Sequence, residues 1–259
     1  MLAIERRNLI LGKLQEEGKV IVTALSQEFG VSEETIRRDL EKLESDGYAV
    51  KAYGGAVLNE NNNTELPFIV RKNKNVTAKQ KIASMAAGLI KDGDCVMLDA
   101  SSTAVFVAKH LKEKKNMTVI TNSIEILLEL ADVTGWQVLS TGGMVKEGSL
   151  ALIGRQAEEM LSGFHVDVSV VSCKGMDLEA GFTDSSEMHA EIKKKMLKAA
   201  RHKVLAVDSS KFGKISFKEI GRFEDLTEVV TDCEPDDNWK ALFSAAGIEC
   251  IYSEDDSAV

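Results

Sequence analysis

The chain has 259 residues, of which 44% are hydrophobic and 28% charged, and its net charge at pH 7 is −9. That length allows two domains with sizeable cores. The acidic balance excludes a generally basic nucleic-acid binder, and no apolar run is long enough to span a bilayer.

Residues Ala3 to Glu17 place Ile4, Leu9 to Leu11 and Leu14 on one helical face before Gly18, which predicts a first helix. Glu5, Arg6 and Arg7 stand where a secretory signal needs apolar residues, so a cytoplasmic protein is expected. Thr23 to Phe29 predicts a second helix, capped by Thr23 and carrying Leu25 and Phe29 four residues apart, and Gly30 turns the chain. The stretch VSEETIRRDLEKL, Val31 to Leu43, predicts a third. Ser32 suits the N-cap, Glu33 and Glu34 suit the positive end of the helix dipole, and Val31 with Ile36 suits a hydrophobic staple. Ile36, Leu40 and Leu43 share one face; Thr35, Arg38 and Lys42 lie opposite, with Arg37 on the flank.

Adjacent arginines with no apolar task suit phosphates and guanine edges in a major groove, although an ordinary amphipathic surface helix has the same periodicity. A helix, a glycine turn and a second helix with outward arginines form the helix-turn-helix pattern. Tyr48 to Lys51 and Ala56 to Leu58, around Tyr53, Gly54 and Gly55, predict a small hairpin or wing. Residues 1–58 hold eight Lys or Arg against ten Asp or Glu, so DNA contact must rest on local placement.

Asn59 to Glu65, with Asn61, Asn62 and Asn63, is turn-prone, and Pro67 disfavours helix just before it, so residues 59–75 are read as a linker between domains 1–58 and 76–259. Arg71, Lys72, Lys74, Lys79 and Lys81 make a basic run that fits a solvated face or a second contact beside DNA. Thr77 with Gln80 then suggests a capping box for a helix reaching about Ile90.

Seven apolar runs follow as strand candidates: Cys95 to Leu98, Met117 to Thr121, Trp136 to Ser140, Val166 to Ser172, Val204 to Val207, Glu228 to Thr231 and Ile248 to Tyr252. Helical segments alternate with them, at Thr103 to Lys114, Ile124 to Ala131, Arg155 to Leu161, Ser186 to His202 and Asp237 to Ala246. The alternation predicts an α/β domain with a mostly parallel sheet covered on both faces. Cys95, Cys173, Cys233 and Cys250 show no metal-ligand spacing and read as reduced, mostly buried thiols, with no metal and no cofactor expected.

In open α/β sheets ligands lie beyond the carboxyl ends of the strands. Those positions are small and polar here: Asp99, Ala100, Ser101, Ser102, Thr103; then Thr121, Asn122; then Thr141, Gly142, Gly143; then Lys174, Gly175; then Asp208, Ser209, Ser210, Lys211. Hydroxyls and amides at a helix N-terminus suit a phosphate, although one serine could merely cap the helix. Together the strand ends fit a phosphorylated polyol better than an apolar ligand. His189 with Glu191 suggests a metal element but lacks the cysteine pair that would complete it, so a surface helix is expected there, and Lys193 to Lys195 reads as a solvated charge run.

SEETIRRDLEKLESDG followed by YGGAV resembles the amino-terminal motif of the DeoR family of bacterial transcriptional regulators, with Tyr53 where the family's wing has His. LDASST, TVITNS, STGGMVKEGSLALIG, CKGMD with GFTD, and VDSSKFGK resemble that family's sensor domain, with Ala100 and Ser101 where glycine is common. The resemblance covers nearly the whole chain. It implies a small winged helix-turn-helix domain and a larger α/β domain similar to the ribose-5-phosphate isomerase-like fold. It also implies a homodimer or homotetramer on double-stranded operator DNA, a repressor of sugar uptake or catabolism genes controlled by a phosphorylated sugar.

The implied DNA-binding residues are Ser32, Thr35, Arg37, Arg38, Lys42, Tyr53, Gly54 and Gly55. The implied effector residues are Asp99, Ser101, Ser102, Thr103, Thr121, Asn122, Gly142, Gly143, Lys146, Lys174, Gly175, Asp184, Asp208 and Lys211. A competing expectation is a sugar-phosphate isomerase with an added domain, using Asp208, Lys174 and Asp184. No close-set acid/base pair supports it, so no catalytic residue is assigned.

Overall fold

The computed structural model describes residues 1–59 and 65–253. The chain divides into two compact units, Met1–Lys74 and Asn75–Val259. The run Asn61 to Asn63 in the expected linker lies outside the described residues.

In the first unit, α1 (Ala3–Glu17) ends at Gly18, whose left-handed backbone (φ +73°) turns its N–H onto Leu14 O. The chain continues through β1 (Lys19–Ile21), α2 (Val22–Phe29) and α3 (Glu33–Ser45) to the wing strands β2 (Ala49–Ala52) and β3 (Gly55–Leu58). The three strands form an antiparallel sheet in the order β1-β3-β2. Strand β1 escapes the sequence because it turns only Val20 inward. The N-cap position of α2 is Ile21, whose side chain makes no capping bond, rather than Thr23.

Ile10, Leu11, Leu14, Leu25, Ile36, Leu40 and Leu43 form the core, closed on the wing side by Ala49 and Ala56. The expected linker holds a further helix, α4 (Phe68–Asn73), directly after Pro67, with Val70 in the same core. Arg71 of the basic run covers the Phe68 ring at 5.5 Å and pairs with Glu65 at 3.1 Å, so it serves the fold.

Gly55 is where β3 crosses closest to β1: a Cβ there would lie 1.9 Å from the Val20 carbonyl oxygen. Gly55→Ala is therefore expected to destabilise this unit by about 1–3 kcal/mol, the usual range for overpacking. An unchanged melting curve would refute that account of the glycine.

The second unit opens with α5 (Val76–Gly88), β4 (Cys95–Leu98), α6 (Ser102–Leu111), β5 (Thr118–Thr121), α7 (Ile124–Leu130) and β6 (Gln137–Ser140). A hairpin of β7 (Met144–Lys146) and β8 (Ala151–Ile153) leads to α8 (Arg155–Leu161) and β9 (Val166–Val171). Next come β10 (Gly175–Asp177), β11 (Gly181–Asp184), α9 (Glu187–Ala199) and β12 (Ala200–Ala206). The rest is β13 (Lys218–Gly221), β14 (Glu228–Thr231), α10 (Asp237–Ala246) and β15 (Glu249–Tyr252).

Seven strands form one parallel sheet in the order β15-β14-β12-β9-β4-β5-β6. They are the seven apolar runs of the sequence. Strand β4 buries Val96, Met97 and Leu98 in succession, as a strand covered on both faces must. Strands β5 and β6 extend the sheet to one side of β4, whereas β9, β12, β14 and β15 extend it to the other, so the topology reverses between β4 and β9.

Several helix boundaries differ from expectation, among them the end of α6, at Leu111 rather than Lys114. Helix α9 stops at Ala199 because Ala200 already pairs with Val166 in the sheet. Helix α5 starts after Asn75, not at a Thr77 capping box. The short antiparallel strands β10, β11 and β13 form a separate sheet beside the main one. Among the described residues no helix is long and apolar enough to cross a membrane.

Candidate nucleic-acid interface and ligand rim

Helix α3 divides cleanly. Ile36, Leu40 and Leu43 are buried, and Val31 packs against their core as the staple requires. Arg37 and Arg38 stand in solvent, their side chains 53% and 75% exposed. Each is held by the acid one turn back, Arg37 by Glu33 and Arg38 by Glu34, while Lys42 meets Asp46 at 2.8 Å. Ser32 is the N-cap: its Oγ accepts from Thr35 N and lies 2.9 Å from Thr35 Oγ1, so both hydroxyls shape the helix start.

On the wing, Tyr53 is fully exposed and Gly54 takes φ +78° in open space. Asp39 was not anticipated. It falls on the buried stripe and pairs with Arg6 at 2.5 Å and Arg7 at 3.7 Å, tying α1 to α3. An acid between two apolar positions of a helix is the sequence signal for such a pair.

In the second unit the strand ends at the topological reversal converge. Asp99, beyond β4, accepts from Ser101 N on one oxygen and from Ser172 N, beyond β9, on the other. Lys193 of α9 lies 3.4 Å from Asp99 and donates to Asp184, at the end of β11. All three are buried, which corrects the reading of Lys193 as solvated. It sits on the stripe of Ala190, Met196 and Leu197, where a charge must find partners.

Burial pushes the Asp184 carboxyl up, but Lys193, Lys174 and His189 outweigh it and hold the group below the usual carboxylate range. Burial pushes the Lys193 ammonium down, and the two carboxylates reverse this and raise it. His189 is likewise buried, 3.5 Å from Ser149 Oγ, rather than on a surface face. Among the described residues no cluster could hold a metal ion.

Ser101 caps α6, its Oγ accepting from Ala104 N, which leaves Ser102 and Thr103 in the first turn, where a helix has amides its own ladder does not use. Thr121 Oγ1 donates to Leu98 O and accepts from Ser123 N, and Asn122 Nδ2 donates to Leu152 O. Asn122 Oδ1 is buried and has no hydrogen-bond partner among the described residues.

Asp208, beyond β12, is held below the usual carboxylate range: burial raises it, and Lys211, Ser210, Lys79 and Asn75 together lower it further. Buried Cys173 lies within the field of Lys193, Lys211, Asp184 and Asp208, and burial pushes its thiol up to about 12. All four charged groups thus act on the thiol just beyond β9. Gly175 is a close-approach position, where a Cβ would meet Lys214 O at 2.4 Å. Gly142 and Gly143 sit on the turn before β7, with Gly143 against Ile153 and Ala157, and Lys146 is half-buried on β7.

Residues 6–62 match the family model of the DeoR-like helix-turn-helix domain, and residues 74–233 match that of the DeoR C-terminal sensor domain. The chain belongs to the DeoR family of transcriptional regulators. It is 40% identical to the uncharacterized HTH-type transcriptional regulator YulB of Bacillus subtilis, over 90% of each chain. It is 33% identical to the HTH-type transcriptional repressor GlcR of the same organism, over 97% of each. Its fold is also similar to ribose 5-phosphate isomerase A of Methanocaldococcus jannaschii, with 19% identity over 54% of this chain and 55% of that one and a TM-score of 0.40. As a DeoR-family member the chain is a DNA-binding transcriptional regulator, and α3 lies within the residues that match its helix-turn-helix model.

Proposed function

We propose that this regulator is a repressor of sugar uptake or catabolism genes, in which Arg37, Arg38 and Lys42 of α3 and Tyr53 of the wing meet operator DNA and a phosphorylated sugar at the strand-end rim sets the affinity. The convergence of the β4, β9 and β11 strand ends on Asp99, Lys193 and Asp184 carries the reading. The first-turn amides of α6 and the lysines Lys174 and Lys211 suit a phosphate, and the lone acceptor Asn122 Oδ1 suits a ligand hydroxyl. The similarity to a named repressor supports the direction of control. A homodimer or homotetramer fits the task, because one short helix offers few base contacts and two-fold symmetry doubles them.

The carboxylates argue against an isomerase. A general base works best with a pKa near the operating pH, whereas Asp184 and Asp208 are held low, and both oxygens of Asp99 are engaged. No turnover of pentose or hexose phosphates is therefore expected.

A thermal-shift screen of sugar phosphates tests the effector. A true ligand at a hundred times its dissociation constant should add about 2.7 kcal/mol. The same compound should weaken operator binding, and DNA must weaken its binding by the same factor. A panel that neither raises the melting temperature nor moves operator affinity would reject sugar-phosphate control.

A further inference from the structure

Asn75 is the first residue of the second unit, and Lys74 the last of the first. Its backbone takes φ +52°, in the left-handed region that asparagine tolerates better than most side chains. An asparagine at the N-cap of a helix ordinarily turns its side chain onto the first-turn amides. Asn75 makes no such bond. Its Nδ2 instead crosses 133 residues of sequence to donate to Asp208 Oδ1 at 3.1 Å, with Ser210 Oγ at 3.5 Å.

Asp208 is 4% exposed, and the same oxygen also accepts from Ser210 N at 3.1 Å and from the Ser210 hydroxyl. Lys211 on the rim and Lys79, buried one turn into α5, both act on its charge. The start of α5 is thereby fastened to the carboxyl end of β12, and the fastening is made at the residue where the chain leaves the DNA-binding unit.

We propose that Asn75 and Asp208 form a clasp through which occupancy of the strand-end rim is passed to the DNA-binding unit. This rests on the reading of that rim as a phosphorylated-sugar site. A ligand hydroxyl that donates to Asp208 Oδ1 competes with the bond that holds Asn75. Release frees the backbone at the junction, so a ligand that prefers the open clasp shifts the protein away from its DNA-competent state. Asn75 is a positioning residue in this scheme and touches neither DNA nor effector.

The test uses the full chain and an operator fragment selected from a random pool by the wild-type protein, with fluorescence anisotropy as the readout. Asn75→Gly keeps access to the left-handed backbone and removes the amide. Asn75→Ala removes the amide without glycine's extra freedom. Both should weaken ligand-free operator binding roughly tenfold, comparable to the cost of fixing one residue's backbone again on binding. Combining Asn75→Asp with Asp208→Asn exchanges donor and acceptor and should restore the affinity. Ser162→Ala, whose exposed hydroxyl donates to Glu158 O at the end of α8, should leave it unchanged.

In a second arm, glucose 6-phosphate, fructose 1-phosphate, fructose 6-phosphate and inorganic phosphate are added. A probe that raises the wild-type melting temperature should still do so in Asn75→Gly, while its effect on operator affinity disappears. Operator affinity and ligand response within twofold of wild type in both Asn75 variants would overturn the clasp. A wild type whose melting and operator affinity respond to none of the sugar phosphates would instead refute the effector reading, and the transmission with it.

Discussion

Arg37→Ala combined with Arg38→Ala is expected to abolish retention of operator DNA in a gel shift while leaving the thermal melt nearly unchanged. Both side chains are more than half exposed, and each pairs with the acid one turn back in its own helix. Exposed helical pairs of this kind contribute about 0.3–0.5 kcal/mol, so their loss is small for folding. A good bidentate contact to a base is worth about 1–3 kcal/mol, so the loss on DNA is large. Removing the pair also removes two of the few cations that an acidic chain presents to phosphate. The slope of residual binding against salt should therefore flatten by about 2 contacts' worth of released counterions. Unaltered operator binding in the double variant would remove α3 from the interface.

Lys193→Met is expected to have the largest effect on stability. Its ammonium serves Asp184 and Asp99, both essentially without solvent, and removing one side of such a network typically costs about 3–5 kcal/mol. The second unit should melt well below the wild-type temperature, and adding Asp184→Asn to Lys193→Met should recover part of the loss.

The pH dependence separates this from simple loss of packing. In the wild type the depressed Asp184 carboxyl contributes stability that is present above its unfolded value, near 3.9, and is lost only as pH falls through the lower folded value. The raised Lys193 ammonium contributes stability that is complete below its unfolded value and lost only in strong alkali. Without the lysine, burial should carry the Asp184 carboxyl upward, so acidification protonates it in the fold and the gap between variant and wild type narrows. Denaturant titrations at neutral and mildly acidic pH read this directly. A gap independent of pH would show that the charge does not matter.

The seven strands of the main sheet were legible because each is a continuous apolar run, and a run buried on both faces needs no partner information to be recognised. The exposed and buried faces of α3 were legible for the related reason that helical periodicity sorts its own residues. What escaped was whatever depends on a distant partner. Strand β1 buries one residue, and the hairpin and side sheet of β7, β8, β10, β11 and β13 consist of three- and four-residue strands that pair only in three dimensions. Read locally, Lys193 belongs to a charge run, His189 to a helix surface and Asn75 to a linker, whereas each is defined by a contact far along the chain. The polar strand ends were visible as small polar residues after each apolar run. Their local pattern did not reveal that two of the carboxylates would be neutralised from α9.

The division of labour on α3 bears on how such regulators diversify. Ile36, Leu40 and Leu43 lock the helix into the core and Asp39 locks it to α1 through Arg6, so the residues that fold the helix are not those that face outward. Thr35, Arg37, Arg38 and Lys42 therefore form a surface that can be rewritten without renegotiating the fold, apart from the contact Thr35 makes with the cap. On the proposed reading of α3 as the operator-facing helix, a related regulator's outward residues grafted onto this scaffold should carry its operator preference with them.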